Sequence, residues 1–168
     1  MIGFYNRRVR RLFPAALTVI VLTLVATHQY FSGARFKDTF VDGLYATLFS
    51  ANWHFIRTGT NYFTASGPVS PFQHYWSLSV EEQFYLAWPA MLLVVLYAAS
   101  RATAGRDPAR VRRATGLGLA AALILVTFYV AYRASSDTPV QAYFSTFTRG
   151  WELGLGALLA AVGTRVRA

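Results

Sequence analysis

Apolar positions along the chain gather into four long runs separated by short polar, arginine-bearing segments. The runs cover about residues 12–31, 84–100, 115–132 and 148–164. Each comes close to the roughly 20 residues that a helix needs to cross about 30 Å of hydrocarbon. A fifth run, Val41 to Ile56, is shorter and carries Asp42, Asn52 and His54. This pattern predicts a helix lying in the interface or dipping partway in. Pro14 falls in the first turn of the first run, where proline is tolerated, and Pro89 predicts a kink in the second. Between the runs, Ser32–Phe40 is polar, Arg57–His74 holds the breakers Gly59, Gly67, Pro68 and Pro71, and Arg133–Thr148 is a polar loop with Pro139. The predicted architecture is all-α: one membrane-embedded bundle over residues 1–168, with about four spanning helices and one outer interfacial or re-entrant helix over about 41–56.

Composition supports that reading. A 168-residue chain with 55% hydrophobic and 16% aromatic residues has the makeup of a membrane protein. The net charge of +9 resides almost wholly in arginines, which cluster beside apolar runs. That is the positive-inside pattern rather than a nucleic-acid surface. A basic start before an apolar run also describes a secretory signal peptide, with Ser32-Gly33-Ala34 as a cleavage site; the length of the run and the later apolar segments argue against it. There is no cysteine, so disulfides, thiol catalysis and thiolate metal sites are excluded.

Charge placement predicts topology. With Arg7–Arg11, the Arg101–Arg113 segment and the Arg165–Arg167 tail all cytoplasmic, four spans satisfy the alternation. A crossing by Val41–Ile56 would break it, so that segment is expected on the outer side. Tyr75–Tyr85 and the Arg149/Glu152 pair then share the outer mouth.

Two adjacent carboxylates, Glu81 and Glu82, stand at the lip of the second span, an expensive place for charge. Ser79-Val80-Glu81-Glu82 fits a capping box, with Ser79 at the N-cap and Glu82 reaching back. That accounts less well for Glu81 and for Tyr75, Trp76, Phe84, Tyr85 and Trp88 around it, although interfacial aromatics also serve as a membrane anchor. Arg149 and Glu152 are three apart and suit an ion pair on one helix face. His28, His54 and His74 show no metal-ligand spacing, and neither a phosphate-binding glycine loop nor a Gly-x-Ser-x-Gly elbow occurs. No metal site is expected.

Three stretches together carry a resemblance. Phe4-Tyr5-Asn6-Arg7-Arg8-Val9-Arg10-Arg11-Leu12-Phe13-Pro14-Ala15, then His74-Tyr75-Trp76-Ser77-Leu78-Ser79-Val80-Glu81-Glu82-Gln83-Phe84-Tyr85, then Ala142 to Ala157 with Arg149-Gly150-Trp151-Glu152, resemble the acyltransferase 3 family of bacterial membrane O-acyltransferases. The resemblance implies a multi-pass protein of the bacterial cytoplasmic membrane that moves an acyl group, often acetyl, from acyl-CoA to a hydroxyl of a cell-envelope glycan or an exported metabolite. Acyl-CoA is then a substrate and no bound cofactor is expected. Arg7, Arg8, Arg10 and Arg11 are expected to meet its phosphates, with a purely topogenic role as the alternative. His74, Ser77, Glu81, Glu82, Arg149 and Glu152 are expected to shape the outer site. The family's presumed catalytic base is a histidine about ten residues after an arginine on an earlier helix, and no residue of this sequence matches it. The chain is therefore expected to be an internal or truncated piece whose remaining helices lie on a longer chain. Its partners would be the bilayer, acyl-CoA and a hydroxyl acceptor, with no nucleic acid. An inactive product, a non-catalytic membrane module and a proton-coupled transporter are the other readings.

Overall fold

The computed structural model describes residues 2–60, 69–102 and 107–163. Gly67, Pro68, Gly105, Arg106 and the Arg165–Arg167 tail lie outside them. The described residues contain seven helices and no strand: α1 (Ile2–Tyr30), α2 (Gly33–Thr47), α3 (Ala51–Arg57), α4 (Tyr75–Ala102), α5 (Pro108–Asp137), α6 (Pro139–Phe144) and α7 (Thr146–Gly163). Three of them, within α1, α4 and α5, are long and apolar enough to cross a membrane. Their large side chains are widely exposed, among them Leu22, Val25, Leu86, Val94, Leu125 and Phe128. A helix that presents apolar residues around much of its circumference suits lipid rather than water.

The helices outrun the apolar spans from which they were predicted. Hydropathy registers the part of a helix that hydrocarbon would cover, whereas backbone hydrogen bonding continues into the charged flanks. Pro14 is thus interior to α1, and Thr18 returns its hydroxyl to the Pro14 carbonyl at 2.8 Å. The arginine-rich 107–113 segment, expected as loop, is the first turn of α5. Asp107 caps it, accepting from the Ala109 amide at 2.9 Å, and Pro108 occupies the first helical position, where its missing N–H costs nothing. The predicted polar loop 133–148 is replaced by the end of α5, the short α6 and the start of α7.

The chain forms two compact units, Met1–Ser79 and Val80–Ala168, and α4 runs from the first into the second. In the first unit α2 returns antiparallel along α1. His28 meets Phe36 edge-on at 5.0 Å, a Cβ on Gly43 would lie 3.6 Å from Leu24, and Phe13 meets Phe49 at 6.0 Å. The chain has therefore travelled back from the Tyr30 end of α1 to within two residues of Arg11. The segment 41–56, expected as one interfacial or re-entrant helix, is divided. That segment is instead the second half of α2, a turn through Phe49 at φ 49°, and α3. Counting charges across spans is blind to a 15-residue helix that packs back on its predecessor.

In the second unit α5 and α7 pack closely. A Cβ on Gly150 would sit 2.8 Å from Thr127 Cγ2, and one on Gly154 would sit 2.9 Å from Ile124 Cγ1. Small residues at such a contact let two backbones approach and gain dispersion contacts without any hydrophobic drive. Gly116 and Gly118, nearer the start of α5, have open space beside them. Gly150→Leu is expected to destabilise the fold by about 1–3 kcal/mol through overpacking, while Gly156→Ala, with nothing within 4 Å, is expected to be neutral; thermal unfolding in detergent micelles measures both. Because the chain has no cysteine of its own, single cysteines at Asn6 and Leu48 are expected to label from one side of the membrane and one at Gly33 from the other.

Candidate functional site

The family-marking stretch His74–Tyr85 begins one residue before α4. Tyr75 opens that helix, so Ser79 is its fifth residue and cannot be its N-cap. The capping-box reading is corrected accordingly. Ser79 is fully buried and donates to the Tyr75 carbonyl at 2.9 Å while accepting from the Ala51 amide at 3.3 Å. It thereby supplies the first amide of α3 with an acceptor that its own helix lacks.

The start of α4 also docks on α1. The Tyr75 hydroxyl donates to the Ala16 carbonyl at 3.0 Å, and Leu12, Ala15, Ala16 and Val19 face His74, Tyr75 and Leu78 across a groove of about 270 Å³. Ala16 is five residues from Arg11, about 7.5 Å along the helix. His74 and Tyr75 therefore stand near the arginine end of α1 instead of at the opposite mouth, where the charge count put them. The physical reason is again the α1–α2 hairpin, which brings the chain back before α4 begins.

The groove sorts the four arginines. Residues three or four apart share a helix face. Arg8 lies one turn below Leu12 and Arg11 one turn below Ala15, so both stand under the groove, whereas Arg7 and Arg10 turn toward other faces. Arg8 is half-buried and the other three are exposed. Of the expected site-shaping residues, His74 lies on the groove with its ring tilted against Tyr75 at 4.8 Å. Ser77 is exposed and donates to the His74 carbonyl at 3.2 Å, and so supports the same turn. Glu81 is exposed and Glu82 half-buried on the next turn of α4.

Arg149 and Glu152 belong to the second unit. They pair at 2.6 Å with side chains 29% and 42% exposed, and the guanidinium lies 5.4 Å from the centre of the Tyr143 ring. In the same unit Gln83 accepts from the Thr146 hydroxyl at 2.6 Å, which ties α4 to the first turn of α7.

Sequence reading missed one cluster altogether. His54 Nε2 lies 2.9 Å from Asp42 Oδ1, with both side chains largely buried, and the ring stacks on Tyr45 at 4.2 Å and 13°. Arg57 donates to the Tyr45 hydroxyl at 2.6 Å. Asp42 and Tyr45 are on α2, His54 and Arg57 on α3. Their twelve-residue separations match no helical period, and only the intervening turn through Phe49 brings them together. A buried carboxylate beside an imidazole holds the ring in one orientation and secures the α2–α3 turn.

Comparison with known proteins identifies the family. Residues 1–168 match the acyltransferase domain family. Over 160 residues the chain is 35% identical to the peptidoglycan O-acetyltransferase OatA of Listeria monocytogenes, a match that covers 95% of this chain and 24% of that protein. It is 35% identical over 159 residues to the putative peptidoglycan O-acetyltransferase YrhL of Bacillus subtilis, with the same coverages. With the O-acetyltransferase OatA of Staphylococcus aureus it shares 29% identity over 162 residues. The chain thus spans about a quarter of the length of these relatives. No solved structure matches it.

The two ion pairs make contrasting predictions. A double-mutant cycle on Asp42 and His54 should return a coupling of about 1 kcal/mol or more, because each side chain is held in a largely dry contact. The same cycle on the more exposed Arg149 and Glu152 should return only a few tenths of a kcal/mol; unfolding in detergent reads both.

Proposed function

The chain belongs to the acyltransferase domain family, and from this premise we propose that it is part of a multi-pass enzyme of the bacterial cytoplasmic membrane that transfers an acyl group from acyl-CoA to a hydroxyl of a cell-envelope glycan. The relatives' names point to acetyl as the group and peptidoglycan as the acceptor class. In the reaction the acceptor oxygen bonds the thioester carbonyl carbon, the carbon–sulfur bond breaks, the hydroxyl proton passes by way of a base to the departing sulfur, and coenzyme A leaves as the thiol.

One observation supports the donor side of this reading. Arg8 and Arg11 lie one helical turn before Leu12 and Ala15, which line an apolar groove along α1. Guanidinium groups bind phosphate oxygens in pairs, so the diphosphate and ribose phosphate of coenzyme A would anchor at the interface while the thioester points inward. The exposed Arg7 and Arg10 contribute to topology and to the local positive field. On the acceptor side, Glu81 and Glu82 on α4 and the Arg149–Glu152 pair offer carboxylates and a cation that suit a sugar's hydroxyls.

Arg8→Ala and Arg11→Ala should each weaken acetyl-CoA binding by about tenfold, the loss expected for one hydrogen bond to a charged group, while Arg10→Ala should change it less than about twofold. Titration of the purified chain in lipid nanodiscs measures this. Equal and negligible effects at all three positions would leave the arginines a purely topogenic role.

A further inference from the structure

The second half of α4 takes no part in the chemistry above. From Glu81 to Arg101 no residue of this helix is buried. Leu86, Ala90, Val94, Tyr97 and Arg101 recur three or four apart and so share one face, and all five are exposed. The stripe is apolar over the roughly 17 Å from Leu86 to Tyr97, close to half of the roughly 30 Å of hydrocarbon in a bilayer. It ends in a cation. Arg101 Nη2 donates to the Tyr97 hydroxyl at 2.8 Å, and the guanidinium lies 5.1 Å from the centre of the same ring. Among the described residues no carboxylate pairs with Arg101.

A tyrosine and an arginine near a helix end are common at a membrane interface. The direct bond between this pair adds a constraint: it holds a long, flexible side chain in one orientation at the foot of the apolar stripe. The guanidinium keeps its other N–H donors, and the tyrosine keeps its own hydrogen, for an acceptor. The start of α5 adds charge of the same sign. Ala102 and Pro108 are six residues apart in the chain, at most about 20 Å. Arg110, Arg112 and Arg113, all exposed, therefore stand near the same membrane surface. Asp107 does not cancel them for a ligand, since it caps α5 through the Ala109 amide and lies 3.7 Å from Arg110.

We propose that this face of α4 seats an anionic phospholipid, its phosphate on Arg101 and the Tyr97 hydroxyl and one acyl chain along Val94, Ala90 and Leu86. Charge complementarity selects the occupant. An apolar partner helix would cover the stripe but leave Arg101 without a counter-charge, and a zwitterionic lipid brings a cation of its own toward four arginines. A phosphodiester with an uncharged headgroup meets neither penalty. The seat also bears on the chemistry at the other end of the helix. Glu81 lies about 30 Å before Arg101 along α4, one hydrocarbon thickness. A lipid that pins Arg101 at one surface holds Glu81 and Glu82 at the level of the other.

The lack of a native cysteine allows a local probe. Ala98→Cys, at an exposed position beside Tyr97, is labelled with bimane, and the purified chain is placed in phosphatidylcholine bilayers. Phosphatidylglycerol with brominated chains, which quench on contact, is then added in increasing fractions, and brominated phosphatidylcholine provides the reference. Phosphatidylglycerol should reach half-maximal quenching at an about fivefold lower mole fraction. Arg101→Ala should bring the two lipids within about twofold of each other, while Arg101→Lys and Tyr97→Phe should each retain part of the preference. Arg133→Ala, which removes an exposed arginine at the far end of α5, should leave it unchanged. Circular dichroism verifies the fold of each variant. Equal quenching by both lipids in the unsubstituted Ala98→Cys chain would overturn the proposal, and so would equal losses in Arg101→Ala and Arg133→Ala, which would mark a general effect of net charge. Absence of quenching by either lipid would mean that protein covers this face, and would overturn it as well.

Discussion

Hydrocarbon offers no water to a polar group, so every carboxylate, imidazole, hydroxyl and helix-end amide that the chain buries must find its partner within the chain. The first unit is arranged around that demand. Its interior holds Thr39, Asn52, His54, Gln73 and Ser79 beside Phe55 and Phe72, and of these Gln73 is the exception, its Nε2 having no partner among the described residues. Threonines along the helices satisfy themselves locally: Thr27, Thr39 and Thr47 each donate to the carbonyl four residues earlier. The remaining groups cannot. Asp42 requires His54, and the Ala51 amide requires Ser79, so the turn from α2 to α3 and the first turn of α4 are drawn into one polar joint.

The location of the groove follows from the path of α2. Because α2 packs back along α1, with Phe36 against His28 and Phe49 against Phe13, the chain arrives back at the arginine end before α4 starts. Gly43 permits the approach, since Phe72 lies 3.0 Å from where its Cβ would be. Tyr75 then anchors to α1 and sets His74 opposite Leu12 and Ala15. A different return path for α2 would separate the cationic cluster from the stretch most specific to the family.

Much of the fold was legible because hydropathy reports transfer energies directly. The helical class, the long apolar elements and the family-marking stretches can be read from residues 12–31, 75–96 and 115–132 without coordinates. Helix ends were less legible. Asp107 and Pro108 form a cap signal recognisable in hindsight, but in an arginine-rich segment it was outweighed by the topogenic reading. The site was legible by residue type and not by placement. Ser79 looked like a cap because serine two residues before a glutamate pair is a common helix start, and only its burial against Ala51 shows the other role.

The sequence by itself determined that the protein is a helical membrane protein with arginine-flanked apolar helices, because burial in hydrocarbon depends on composition along one strand of chain. The tertiary structure alone decided which of those helices turn back on their neighbours, and with that which end of α1 receives the Tyr75 stretch. It also decided that Asp42 and His54 pair, and that Leu12 and Ala15, one turn on from Arg8 and Arg11, line a groove with His74 and Tyr75. Those outcomes depend on close contacts between residues far apart in sequence, such as Phe13 with Phe49 and Ala16 with Tyr75, which no local pattern of apolar and polar positions encodes.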